Sequence, residues 1–351
     1  MKSVSHIIVA GAIILLISSC EKIAMNPSPG SDNLSIFNEY AQFATEKYAL
    51  SEVKGVDLVS LADSIRPFIT ESLTQEELYD FMSLITSRMR EGHTSLTAEN
   101  IGITPFIGYP WYEGYPPAND GILTMQHYYG EEANPDVQRL TGDSFSGAEY
   151  GLLPQDQEIG YIRIGNFTIQ NVADSEIEKM MEYLTDTRGL IIDVRGNLGG
   201  YVELGARITS YFTEEAYVFG TNFFKNGPGP DDFAPTEMRI TPSGSPFTYT
   251  KPVMLLQDRI SFSTGSLFPV MMSPLEHVTT MGQITGGGTG EIVDGLLSNG
   301  WEYAISTSNL VDQQGRPTDN GIEPDIPVVF NPEDTVSDAI IERAILEIQS
   351  K

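Results

Sequence analysis

A single cysteine, Cys20, occurs in the 351 residues. With no second thiol, a disulfide framework is excluded, and so is a cysteine-based zinc site. Bases are scarce as well: 20 Lys and Arg stand against 48 Asp and Glu, a formal net charge of −28. A surface of that sign repels phosphate backbones and anionic lipid, so no nucleic acid is expected as a partner. His6, His127 and His277 are scattered without ligand spacing, and neither a metal nor another cofactor is implied. No internal repeat is visible. The apolar run Ile7 to Ile17 is too short to cross a bilayer comfortably. What is left is globular: 40% apolar residues, 33 Gly and 21 Pro, in a length that holds one large domain or a small one beside a larger.

That apolar run, with Lys2 before it, reads as the core of a signal peptide over residues 1–20. Ile17-Ser18-Ser19-Cys20 resembles a bacterial lipobox. It predicts lipidation at Cys20, a location in the bacterial cell envelope, and membrane contact only through that anchor. An ordinary secretory signal with an incidental Cys is the alternative. Residues 21–33, with Pro27, Ser28, Pro29 and Gly30, read as a tether.

Helical periodicity follows. Leu34, Phe37, Tyr40, Ala41, Ala44 and Tyr48 recur at threes and fours, a second helix is expected over Val59 to Phe68, and Thr74-Gln75-Glu76-Glu77 is a capping box. Residues 34–98 are therefore expected to form a small helical domain, with the remaining 99–351 as an α/β domain. Within the latter, 101–153 is rich in Gly, Pro, Tyr and Asp and yields only a short strand near 121–128. From Ile159 onward strands and helices alternate: helix 174–184, strand 190–194, helix 203–212, strand 253–257, helix 264–272, strands 278–281 and 301–307, and an amphipathic helix near the end. That order predicts a layered α/β core.

Three separated segments carry groups capable of chemistry at element boundaries. The apolar strand Leu190-Ile191-Ile192 runs into Asp193-Val194-Arg195-Gly196-Asn197-Leu198-Gly199-Gly200, where glycines leave backbone N–H groups free to face an oxyanion. His93 follows a helix, and Ser263 opens another directly after a strand. Each has a plain structural explanation. The glycines permit tight packing, a lone His is most often structural, and a Ser at a helix start is most often an N-cap.

Taken together the segments resemble the S41 serine peptidases, the family of C-terminal processing (tail-specific) proteases and the tricorn-type core. Asp193 to Gly200 matches the family's most recognisable signature, and Ser263-Thr264-Gly265-Ser266 its nucleophile turn. Gly282 to Gly288 resembles its Gly-x-x-Thr-x-Gly segment, Asn320 to Ile326 its closing Gly-Ile-x-Pro-Asp-Ile motif, and Glu91-Gly92-His93-Thr94 the end of its N-terminal helical domain. The resemblance implies an α/β, layered ClpP/crotonase-like catalytic core and hydrolysis of peptide bonds in peptide or protein substrates. Ser263 would be the nucleophile, His93 the general base and Asp319 the orienting acid, in preference to Glu91, which stands too near His93 in sequence. Backbone N–H groups of Gly199 or Gly200 and of Thr264 would form the oxyanion hole. Asp193, Arg195 and Asn197 would be structural. Two departures stand out: the dyad lysine of tail-specific members is replaced by Gly288, and the usual Glu by Ser266. No PDZ module is recognisable. An inactive lipoprotein of the same fold, binding a peptide or a small apolar ligand, is the alternative to a peptidase.

Overall fold

The computed structural model describes residues 32–107, 111–113, 138–140, 148–168, 172–329 and 337–351. The expected leader with Cys20, most of the tether, the expected strand at 121–128 and His127 lie outside the described residues.

Three helices dominate the N-terminal segment: α1 (Asn33–Lys47), then, beyond the one-turn α2 (Ser51–Lys54), α3 (Leu58–Ile65) and α4 (Gln75–Met89). Each of the three begins at a side-chain cap: Asp32 accepts from Ser35 N, Asp57 from Ser60 N, and Thr74 and Glu77 form the reciprocal capping box. The chain then enters β1 (Ser95–Ala98) and β2 (Ile103–Ile107). β3 (Gln138–Arg139), β4 (Ala148–Leu153) and β5 (Asp156–Ile164) pair antiparallel in sequence. The alternation follows with α5 (Asp174–Leu184), β6 (Gly189–Asp193) and α6 (Val202–Thr209). β7 (Tyr217–Lys225) and β8 (Phe233–Ile240) form a hairpin, and β9 (Val253–Gln257), α7 (Thr264–Met272) and β10 (Val278–Gly282) resume the alternation. β11 (Ile292–Leu296), β12 (Glu302–Ser306), β13 (Ser308–Asp312), β14 (Ile326–Pro327) and α8 (Ala339–Ser350) complete the order.

The central sheet runs β14-β10-β9-β6-β5-β4-β3, parallel from β14 to β5. Both of its faces are covered, which is why its middle strands read as unbroken apolar runs. Leu190 and Ile192 of β6, Leu255 of β9 and Phe268 of α7 share one cluster. Ile191, Met254 and Leu256 point the other way into a cluster closed by Ile340, Ala344 and Ile348 of α8. Full burial of each such side chain is worth about 1.5–3 kcal/mol, so β6 and β9 are fixed on both sides, and with them the turns at their ends.

The helical segment packs on a second, antiparallel sheet of order β11-β12-β1-β2. Its core joins Phe37, Tyr40 and Met82 to Leu96 of β1 and to Trp301 and Ile305 at β12. The residue that follows α4 is thereby brought onto the α/β body. A third sheet, β13-β7-β8, packs over α7 through Phe219, Leu267 and Leu310.

Candidate active site

β6 and β9 are adjacent parallel strands, so their C-terminal ends open on the same edge, where α/β sheets usually bind ligands. Asp193 ends β6 and is buried. Arg195 donates to it from its backbone N (3.0 Å), Nε (2.9 Å) and Nη2 (2.6 Å), and Tyr161 Oη donates to its Oδ2 at 2.6 Å. Arg195 Nη1 also lies 2.8 Å from Asp338 Oδ2. Burial pushes the Asp193 carboxyl up, but the guanidinium outweighs it and holds it below its ordinary value. These two residues tie the turn to β5 and to the start of α8. Asn197 continues the bracing: its Nδ2 donates to Ile164 O and its carbonyl accepts from Phe262 N.

That last bond joins the β6 turn to the β9 turn, and Asp258 joins them again. Its Oδ1 accepts from Gly196 N, Ile260 N and Ser261 N, while Ser261 Oγ donates to Val194 O. At the end of this braced loop Ser263 has φ +55° and ψ −127°, one of two positive-φ residues other than glycine among those described. Backbone in that region costs about 1–3 kcal/mol and persists only where the surroundings enforce it. Here Ser263 N donates to Gly287 O and its own carbonyl accepts from Leu267 N. Ser263 stands at the N-cap position of α7, yet its hydroxyl caps nothing. The ordinary reason for a Ser at a helix start is thus absent, and what remains is a strained strand-to-helix turn that presents the Oγ.

The backbone donors around it sort clearly. Gly199 N–H is taken by Asn197 Oδ1 at 2.8 Å. The N–H groups of Gly200 and Thr264 have no acceptor among the described residues. Thr264 Oγ1 donates to Gly200 O at 2.6 Å, which fixes the two peptides relative to each other.

His93 reaches the site from the turn after α4, half-buried, its ring 4.6 Å from that of Phe262, which stacks on Trp111 at 3.9 Å. Among the described residues no hydrogen bond joins the Ser263 hydroxyl to the His93 ring. The contact expected of Asp319 is made by Glu91 instead. Glu91 Oε1 lies 3.1 Å from His93 Nδ1, off the line of a hydrogen bond, and both its oxygens accept from His93 N at 3.0 Å. Ser306 Oγ donates to the same carboxylate at 2.8 Å. Burial lowers the affinity of the His93 ring for a proton, but Glu91 and then Asp319 outweigh it and raise the pKa above that of a free imidazole. Glu91 is held below its ordinary value, burial again being overcome by His93. Asp319 is buried with its Oδ2 2.6 Å from Lys54 Nζ. Burial and the Glu91 charge raise its pKa against the opposing pull of Lys54. A cavity of about 260 Å³ opens beside these groups, lined by Lys54, Arg90, Trp111, Arg259, Phe262 and Asp319 among others. Among the described residues no cluster of His, Cys, Asp or Glu is placed to hold a metal ion.

The sequence profile of peptidase family S41 matches residues 158–328. A candidate peptidase of Parabacteroides merdae is 30% identical, with 92% of this chain and 97% of that one covered and a TM-score of 0.78. The chain belongs to peptidase family S41. Two more distant structures share the fold of this S41 chain. Mature CPAF is 12% identical over 91% of this chain and 96% of its own, TM-score 0.62. The photosystem II D1 C-terminal processing protease is 13% identical over 86% and 94%, TM-score 0.54.

The two departures from the S41 pattern have structural counterparts. A side-chain carbon on Gly288, which has φ +67°, would lie 2.2 Å from the Phe262 ring, so the place of a dyad lysine is filled by an aromatic. Ser266 is buried and shares a 2.6 Å hydrogen bond with Thr285, whose Oγ1 accepts from Ile322 N. It serves as a link between α7 and the Asn320 to Ile326 segment. Lys54 was not foreseen as a site residue; it sits in a four-residue helix too short to show a period, in a stretch without a motif.

Proposed function

We propose that this S41 chain is a serine peptidase with Ser263 as nucleophile, His93 as general base and Glu91 as the acid that orients it. The observation that carries the reading is the strained Ser263 turn with an uncommitted hydroxyl. In the reaction Ser263 Oγ attacks the scissile carbonyl as His93 Nε2 takes its proton, and the imidazolium returns that proton to the leaving amine. Glu91, on the Nδ1 side, stabilises the imidazolium formed in the first step. The tetrahedral oxyanion is held by the N–H groups of Gly200 and Thr264, two donors already oriented before substrate arrives. Catalytic hydrogen bonds commonly tighten only in the substrate complex, and the Ser263–His93 contact is one that substrate would complete. Substrates are peptides or proteins. The D1 C-terminal processing protease shares the fold, and its name motivates testing a carboxyl-terminal mode of cleavage against an internal one.

The test is labelling by a fluorophosphonate probe, with the modified residue located by mass spectrometry. Label on Ser263 that is lost in Ser263→Ala and His93→Ala supports the reading. A folded, unlabelled wild type would instead point to an inactive binding protein of the same fold. Peptide substrates with free and amidated carboxyl termini then separate the terminal from the internal mode of cleavage. The lipid anchor at Cys20 is tested separately by mass spectrometry of the mature amino terminus.

A further inference from the structure

We propose that Lys54, carried on α2 of the N-terminal helical segment, is a positioning residue of the Ser263/His93 centre, holding Asp319 in place and balancing charge around His93. The inference rests on the peptidase reading of that centre. Lys54 and Asp319 are nearly inaccessible, with side-chain exposures of 7% and 1%, and lie 2.6 Å apart. Lys54 Nζ also donates to Asn320 Oδ1 at 2.7 Å and, more weakly, to Asp319 O at 3.4 Å. All three of these contacts of one ammonium fall on one turn of the α/β body. Neither Asp319 oxygen has an in-line hydrogen-bond donor, so Lys54 is the cation that offsets the burial of this carboxylate. Removal of one partner from such a pair leaves the other charge uncompensated.

The turn that Lys54 holds is built into the nucleophile's support. Asp319 O is packed so closely on Gly287 that a side-chain carbon there would lie 1.9 Å away, and it accepts from Gly288 N at 3.3 Å. Gly287 O in turn accepts from Ser263 N at 2.9 Å. On the base side, Ala49 N donates to Ser306 O just before α2, and the Ser306 hydroxyl binds Glu91. The short link that carries Lys54 is therefore pinned to the residue that also fixes the acid on His93. The charged groups around His93 are Glu91 from its own turn, Asp319 and Lys54 from across it, and Arg90 and Arg259 at the same cavity. The Tyr48 hydroxyl, facing Glu91 and Asp319, donates to Met89 O, and burial and those two carboxylates keep it protonated. Two carboxylates against one buried ammonium leave a net negative charge facing the ring. Loss of Lys54 makes that charge larger, and loss of Asp319 cancels it.

The experiment follows the His93 ring by NMR during a pH titration of ¹³C-histidine-labelled protein, with the resonance identified by its absence in His93→Gln. Wild type is compared with Lys54→Met, Asp319→Asn and the double variant, and fluorophosphonate labelling of Ser263 is measured on each. Lys54→Met is expected to move the His93 midpoint up and Asp319→Asn to move it down, each by roughly one pH unit. The double variant should return toward wild type, with labelling slowed about tenfold or more in both singles. Midpoints that stay put, move the same way, or fail to recover in the double variant overturn the proposal. If Lys54→Met does not fold, Lys54→Arg keeps the charge and should keep the midpoint, while Asp319→Asn still lowers it. The ring titrates whether or not Ser263 reacts. Opposite shifts in an unlabelled protein would retain the charge balance and reject the peptidase; a labelled protein without shifts would do the reverse.

Discussion

Gly199 is pressed against the Ser263 turn: a side-chain carbon on it would lie 2.6 Å from Ser263 Cβ and 2.9 Å from Thr264 N. Its φ of +101° is also one that L side chains rarely adopt. Gly199→Ala therefore forces the Ser263 loop and the Thr264 peptide to move apart from the Gly200 turn. Expected are a stability loss of about 1–3 kcal/mol in denaturant titration and a drop in Ser263 labelling of about 10²-fold or more, the scale of a lost oxyanion donor. Gly244→Ala is the control, since Gly244 has a similar backbone strain (φ +74°) and open space around it. It should cost stability without loss of labelling. Wild-type labelling of Gly199→Ala would show that this contact does not set the nucleophile geometry.

The parts of the fold legible in the sequence are those where pattern and packing agree. Helices 174–184 and 264–272 and strand 253–257 occupy the spans expected of them: Ile177, Met180, Met181 and Leu184 repeat at threes and fours on the buried face of the first, and the other two are continuous buried runs. The β7-β8-β13 sheet left no such mark. Much of β8 is exposed and carries Pro235, Glu237 and Arg239, and only its pairing with β7 makes it a strand. At the site, sequence placed Ser263 at a helix start but could not separate a cap from another role; the dihedral angles and the missing cap bond speak against the cap. It also set Glu91 aside as too close to His93 along the chain. The tight turn closed by Thr94 N on Glu91 O brings that carboxylate to 3.1 Å from His93 Nδ1, a local geometry that spacing alone does not reveal. Gly288 read as a missing lysine, and only the structure shows the Phe262 ring in its place.

The Glu91–His93 contact fixes the direction of a pH effect. A base acts in its neutral form, so activity falls as pH drops through the His93 pKa. That pKa is raised above the ordinary value of about 6.5, because Glu91 and Asp319 outweigh burial. The acid limb of kcat/KM is expected above that value. Glu91→Gln removes the leading anion and leaves burial dominant, so the limb should move to lower pH while the maximal rate falls about 10²–10⁴-fold. The rate profile between pH 5 and 9 on a peptide substrate checks both. An acid limb that moves upward in Glu91→Gln would remove Glu91 from its orienting role.

Arg195 makes the sharpest stability prediction. It is one guanidinium between two buried carboxylates, Asp193 and Asp338, at ionic distances of 2.6 and 2.8 Å. Arg195→Met keeps most of the volume and strands both acids, with an expected loss of about 3–5 kcal/mol at neutral pH. The pH dependence follows from the sign of the Asp193 shift. In wild type its folded pKa is depressed, so its contribution is present above the unfolded value of about 3.9 and is lost as pH falls through the folded one. Without Arg195, burial, the largest influence on the carboxyl, is opposed only by Arg163 and the Tyr161 hydrogen bond, and the carboxyl is expected to rise. The variant then takes up a proton on folding, and its deficit relative to wild type should shrink as pH is lowered from 7 toward 5. Denaturant midpoints measured across that range decide the matter. A deficit independent of pH would mean that Arg195 acts through packing and not through its charge. Arg195→Met combined with Asp193→Asn and Asp338→Asn should then recover little, whereas the ionic account requires it to regain much of the lost stability.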